Sequence, residues 1–288
     1  MLRVLVTRPA PDAGQWVEHL QQAGFDAAAL PLIEIAPLLN AASLAALQQA
    51  RQTLSTYAAL MFVSGNAVSY FFREKDAVAQ CSRQENATNN IADKNLTIVP
   101  PGLRLLAPGP GTAAALLATG VPSAQIDAPP EDAEQFDSEA LWQLVGKRDW
   151  QGRRVLIVRG QSPVALSKSL STPGRDWLMR QWQAAGATVD TVTVYERRAP
   201  QMAGADMALA KNAATDGAVW LFSSSEAIGN LMTQPGMAAI RWHEARAVAT
   251  HPRIAQAARA AGWGVVVESR PALTDIIRTL RSIESNHP

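Results

Sequence analysis

Apolar residues along this chain come in short β-branched runs that alternate with longer segments of helical period, and the alternation is repeated. Arg3–Arg8, RVLVTR, is an apolar run bounded by Pro9 and Pro11, the signature of a short buried strand. After it, Trp16, Val17, Leu20 and Ala23 share one helical face, with Asp12 and Gln15 spaced as a capping box and Gly24 as the stop. Phe25–Leu30 leads into an extended stretch, Leu30–Leu38, LPLIEIAPL. The same unit returns as Arg154–Arg159, RVLIVR, a helix carrying Leu178, Met179, Trp182 and Ala185, a stop at Gly186, and a second extended stretch, Thr191–Pro200, TVTVYERRAP.

The segments between repeat as well. Leu60–Val68, LMFVSGNAV, resembles Trp220–Ile228, WLFSSSEAI, each a buried strand, a small polar turn and a helix start. Arg104–Ala113, RLLAPGPGTA, resembles Arg246–Ala255, RAVATHPRIA, and Gly120 and Gly262 close the helices that follow. Pro129 and Pro271 each precede a last helix, Glu134–Val145 and Ala272–Ile283. Strand–helix alternation of this kind predicts parallel sheets covered by helices on both faces. The chain therefore reads as two α/β domains of similar pattern. Its two extended stretches have the character of straps between two bodies, with Glu34 of the first standing where Glu196 stands in the second. Glu74–Gly102, polar and without usable period, reads as an inserted surface loop.

Composition narrows the function classes. Apolar residues make up 48% and charged residues 18%, as expected of a globular chain long enough for two cores. The formal net charge is +1, so no overall field favours nucleic acid or an anionic membrane. No apolar run approaches the roughly 18 residues of a membrane span, and the N-terminus lacks the apolar core of a signal peptide. Cys81 is a single cysteine, so no internal disulfide forms, and a cytoplasmic monomer is the expectation. His19, His243, His251 and His287 are scattered without ligand spacing, so no metal site is expected.

The chemistry-bearing residues gather at the strand-to-helix turns. These read Thr7-Arg8-Pro9, Ser64-Gly65-Asn66, Pro108–Thr112, Arg159-Gly160-Gln161-Ser162, Ser223-Ser224-Ser225 and Thr250-His251-Pro252-Arg253. In parallel α/β sheets such turns lie at the carboxyl edge, where ligands bind. Hydroxyls, helix N-terminal N–H groups and arginines suit carboxylates or phosphates. Ser, Thr and Asn are also the preferred helix caps, so it is the set rather than any one residue that points to an anionic ligand. Gly109–Ala114 fits G-x-G-x-x-A, with Asp127 about where a ribose-binding acid would sit, which keeps a nucleotide-dependent enzyme as an alternative. A two-lobed anion-binding protein without catalysis is the other. Tyr195 replaces the Ile33 of the first strap, and its phenol can either donate a proton or pack with its hydroxyl in water.

Several of these stretches together resemble uroporphyrinogen-III synthase over essentially the whole chain: VLVTRP at Val4–Pro9, FVSGNAV at Phe62–Val68, VTVYERR at Val192–Arg198 and FSSSEA at Phe222–Ala227. The resemblance implies two α/β domains joined by a two-stranded β ladder, one of residues 1–35 plus 199–288 and the other of residues 36–198. It implies a cofactor-independent cyclase whose substrate is hydroxymethylbilane, a polycarboxylate linear tetrapyrrole bound in an interdomain cleft. That substrate would be handed over by the enzyme that makes it. Tyr195 matches the family tyrosine proposed to help the hydroxyl leave. Ser64 and Asn66, with Ser223, Ser224 and Ser225, match turns that line the cleft, and Thr7 and Arg8 match the first turn; Gly65 and Arg159, from the set of strand-to-helix turns, are expected to bind substrate with them. The last turn departs from the family's Gly-Pro-Thr-Thr, reading His251-Pro252-Arg253-Ile254, so Thr250 and Arg253 carry that position without the usual hydroxyls.

Overall fold

A computed structural model describes residues 1–73, 99–130, 138–161 and 173–286. In chain order the elements begin with β1 (Arg3–Val6), α1 (Ala10–Gln22), β2 (Asp26–Ala29), β3 (Glu34–Pro37), α2 (Ala41–Gln52), β4 (Ala59–Phe62) and α3 (Gly65–Phe72). They continue with β5 (Arg104–Leu106), α4 (Pro110–Ala118), β6 (Ile126–Asp127), α5 (Ser138–Val145), β7 (Arg154–Gln161), α6 (Pro173–Ala184) and β8 (Thr188–Arg198). The last third holds α7 (Gly204–Asn212), β9 (Val219–Phe222), α8 (Ser225–Met232), β10 (Arg246–Ala249), α9 (Pro252–Ala260), β11 (Val265–Glu268) and α10 (Leu273–Asn286).

The chain divides into two compact units, Met1–Ile35 with Arg197–Pro288, and Ala36–Glu196. The sheet of the first runs β11-β10-β9-β1-β2, all parallel. Alternate residues bury opposite faces, as period-2 strands covered on both sides must. Val4, Val6, Val219 and Leu221 pack with Leu20 of α1 and with Ile276, Leu280 and Ile283 of α10. Leu5, Trp220 and Phe222 point the other way, onto Ile228 and Leu231 of α8, Ile254 of α9, and Trp242 and Trp263. Trp242 and Trp263 stack at 4.3 Å, and Trp220 meets both rings edge-on. Each such buried large apolar side chain contributes about 1.5–3 kcal/mol relative to exposure.

The second unit repeats this plan. Its sheet runs β3-β8-β7-β4-β5-β6, parallel from β8 through β6. With β3 set aside on the β8 edge, β8-β7-β4-β5-β6 has the same order as β2-β1-β9-β10-β11. The chain enters the two copies at different points, so the internal repeat is circularly permuted. Met61, Val155 and Ile157 bury one face against Leu141 of α5 and Leu178 and Trp182 of α6. Even the helix stops correspond: Gly24 has φ 91° and Gly186 has φ 85°, a left-handed conformation that disfavours a side chain.

The structure differs from the sequence expectations at several element ends. Asp12 does not cap α1; Pro9 occupies the N-cap with no side-chain bond, and Asp12 lies in the first turn, facing the positive end of the helix dipole. The stretch Leu30–Leu38 is a strand only over Glu34–Pro37, because the N–H groups of Leu30 and Leu32 are taken by the carbonyls of Val6 and Thr7. Arg159-Gly160-Gln161 is not a turn, since β7 continues through Gln161 with a bulge between Arg159 and Gly160. Most of the polar segment 74–102, the Ser-rich stretch beginning at Ser162 and the start of the helix expected from Glu134 lie outside the described residues.

Candidate active site

Ser64 ends the turn after β4 and begins α3. Its backbone is extended, φ −168° and ψ 165°, and its Oγ accepts the N–H of Ala67 at 3.2 Å, the geometry of an N-cap. The opposite end of α3 is held by Arg51, which donates to the carbonyls of Phe71 at 2.8 Å, Tyr70 at 3.1 Å and Arg73 at 2.9 Å. A cation at the C-terminal carbonyls complements the helix dipole as an anion does at the N-terminus. Burial pushes the Arg51 guanidinium below its ordinary value.

Tyr195 lies on β8, two strands from β4, with β7 between. Its side chain is 2% exposed, and its hydroxyl sits 3.2 Å from Ser64 Oγ. The Tyr70 ring packs 5.5 Å from it, and the Arg73 guanidinium lies over Tyr70 at 4.8 Å. The tyrosine fits because its register partner across the bulge is Gly160. A β-carbon on Gly160 would fall 2.2 Å from Tyr195 Cε2 and 2.4 Å from Cζ, which no side chain permits. Gly160, expected in a turn, lies inside β7, where glycine marks such a close approach. Gly65 opens α3, where a β-carbon would meet Ala115 Cβ and the Gly111 carbonyl at 3.5 Å, an ordinary contact, and Asn66 follows it half exposed. Arg159 is exposed on β7.

Thr7, Arg8, Ser223, Ser224 and Ser225 belong to the other unit, at the carboxyl ends of the adjacent strands β1 and β9, where the strand order reverses. Thr7 is buried and its hydroxyl donates to the Leu221 carbonyl at 2.8 Å, so it ties β1 to β9. Ser224 is the N-cap of α8, accepting the N–H of Glu226 at 3.2 Å. The hydroxyls of Thr7 and Ser224 are thus engaged by the fold, while Ser223 and Ser225 stay half exposed. Arg8 lies over the Trp16 ring at 4.3 Å with its Nε buried and unpartnered. Burial lowers the Arg8 pKa and raises that of Asp12, and each shift is opposed by the charge of the other. Buried Glu226 pairs with Arg197 at 3.3 Å, a contact the sequence reading did not anticipate. Thr250 hangs from the Phe222 carbonyl by its N–H at 3.1 Å. His251 caps α9, its Nδ1 accepting the N–H of Arg253 at 3.1 Å. The acceptor at this cap is therefore an imidazole nitrogen.

The glycine-rich turn does follow β5 and open α4, with Gly109 as N-cap. Its expected acid is spoken for. Asp127 receives two bonds from Arg104 at 2.9 and 2.6 Å and two from Arg148 at 2.7 and 2.8 Å. Burial alone would raise its pKa, but the bonds and charges of Arg148 and Arg104 outweigh it, and the carboxyl is held below the usual range. A doubly clamped carboxylate has no capacity left for ribose hydroxyls, which removes the anchor of a dinucleotide site.

The uroporphyrinogen-III synthase HemD family model matches residues 14–278. Among solved structures, uroporphyrinogen III synthase of the extreme thermophile Thermus thermophilus, a methionine-substituted form, matches with a TM-score of 0.56 and 14% identity, covering all of both chains. The Helicobacter pylori uroporphyrinogen-III synthetase matches with a TM-score of 0.52 and 13% identity, over 98% of this chain and 100% of that one. At such identities the structures speak for the fold, and the family match speaks for membership.

Proposed function

The chain belongs to the uroporphyrinogen-III synthase family, cyclising lyases of porphyrin biosynthesis, and we propose that it closes hydroxymethylbilane with Tyr195 as the source of the proton that releases the hydroxyl. Loss of that oxygen leaves a conjugated azafulvene cation, which closes spontaneously to the symmetric isomer I. The synthase must direct attack to the substituted carbon of ring D, so that the ring detaches from a spiro intermediate and rejoins inverted. Most of that task is holding one near-attack conformer of a polyanion. Helix N-terminal N–H groups and small hydroxyls grip carboxylates without placing a strong nucleophile beside the cation.

The observation that carries this reading is the Tyr195 phenol, 2% exposed and 3.2 Å from the hydroxyl that caps α3. A phenol there can release a proton while the helix N-terminus favours the negative charge left behind. Gly65, Asn66 and Arg159 on the same unit, and Arg8, Ser223, Ser225, Thr250 and Arg253 on the other, are the groups we assign to substrate carboxylates. Thr7 and Ser224 we assign to shaping their turns. We further assign the protein to the cytoplasm as a monomer that receives its unstable substrate from the enzyme producing it; no described helix is long and apolar enough to cross a membrane.

Replacing Tyr195 by Phe tests the assignment. The variant is expected to fold and to make isomer III about 10²-fold more slowly, the loss typical of a missing general acid. Turnover equal to the parent protein would overturn it.

A further inference from the structure

Resting on that reading, we infer that the proton reaches the substrate through Ser64, so that Ser64 is the catalytic donor and Tyr195 acts behind it. The tyrosine is too buried to touch a ligand, whereas Ser64 is half exposed at the mouth of the β4–α3 turn. Ser64 Oγ already accepts the Ala67 N–H at 3.2 Å, which engages one lone pair. Its contact with the Tyr195 hydroxyl, also 3.2 Å, engages the second when the phenol donates. A hydroxyl with both lone pairs occupied has only its own hydrogen left to offer, and that hydrogen must point elsewhere. The contact permits either hydroxyl to donate, and the relay takes the phenol as donor: Tyr195 O–H to Ser64 Oγ, and Ser64 O–H outward.

The step balances without any co-reactant. Ser64 gives its proton to the hydroxymethyl oxygen as the carbon–oxygen bond breaks, and the electron pair of that bond leaves with the departing water. Ser64 takes the Tyr195 proton, and the phenolate remains as the counter-charge to the azafulvene cation. When the closing pyrrole regains aromaticity it loses a proton, which returns through Ser64 to Tyr195. Proton count and charge are then as at the start. The arrangement keeps the anionic oxygen one hydroxyl away from the electrophile, so the phenolate stabilises the cation without adding to it.

The experiment uses three variants of the full chain: Ser64→Gly, Ser64→Thr and Tyr195→Phe. Glycine at an N-cap keeps most of the capping and removes only the hydroxyl, so the helix survives. Threonine restores a hydroxyl with the same two roles. The relay predicts that Ser64→Gly and Tyr195→Phe each lower kcat by about 10²-fold, that the double variant is no slower than either, and that Ser64→Thr recovers most of the rate. A bilane carrying acetate in place of the hydroxyl, which departs unprotonated, should restore both slow variants; a merely structural role for either residue would leave them slow. If Tyr195→Phe is slow and Ser64→Gly is not, the phenol acts directly and the relay is wrong while the function stands. If neither change slows isomer III formation, the assignment of Tyr195 falls as well.

Discussion

At the scale of single residues, the site depends on what is absent as much as on what is present. Gly160 leaves room for the Tyr195 ring, and a methyl group there must displace the ring or the β7 bulge. Gly160→Ala is expected to destabilise by about 1–3 kcal/mol, as overpacking does, and to slow cyclisation. Its kinetic effect should vanish in a Tyr195→Phe background if it acts on the phenol; denaturant titration beside turnover assays separates the two effects. Asp127 shows the opposite case, a group whose partners define it. Its pKa is held down by two arginines, so its stabilisation is present above the ordinary carboxylate value and fades as pH falls through the lowered one. Asp127→Asn should cost about 2 kcal/mol near neutrality, discounted because both arginines are about one-third exposed. That cost should shrink below about pH 4, as urea unfolding at several pH values would show. Neither residue could be read correctly from the sequence. A glycine before Gln161 and Ser162 looks like a turn, and an aspartate ending a strand looks available. Only the facing ring and the two arginines, remote along the chain, decide otherwise.

At the scale of elements, α3 is the part that aims the chemistry. It is an eight-residue helix, too short to be stable on its own, and is held at both ends by side chains. Ser64 at its start was legible, because a small hydroxyl before an apolar helical run is a capping signal. Arg51 at its end was not, because it comes from α2 and no local pattern announces it. Removing Arg51 as Ala is expected to lower stability by about 2 kcal/mol, the range for hydrogen bonds from a charged donor. Lysine should recover only part, lacking the planar fork that reaches several carbonyls; thermal unfolding of the variants checks both. The α9 cap makes a similar point. His251 stands where the family pattern has glycine, and its Nδ1 performs the capping. Ser at this position should hold α9 at least as well, and Ala should cost about 1 kcal/mol, again by thermal unfolding.

At the scale of the whole molecule, the repeat in the sequence was the most informative feature. Paired runs such as RVLVTR and RVLIVR, and matched glycine stops, follow from parallel strands buried on both faces, which tolerate few residue types. The matching strand orders of the two sheets explain why the repeat appears out of sequence. What could not be read was the end of each strand, where hydrogen bonds to neighbouring strands override local pattern, as at Leu30–Ile33 and Gln161. The central claim is that this fold directs closure rather than merely holding a tetrapyrrole. The most direct measurement adds the purified protein to freshly generated hydroxymethylbilane, oxidises the products and separates the porphyrin isomers. Predominantly isomer III, formed faster than spontaneous closure, is the predicted result; isomer I alone, at the spontaneous rate, would contradict it.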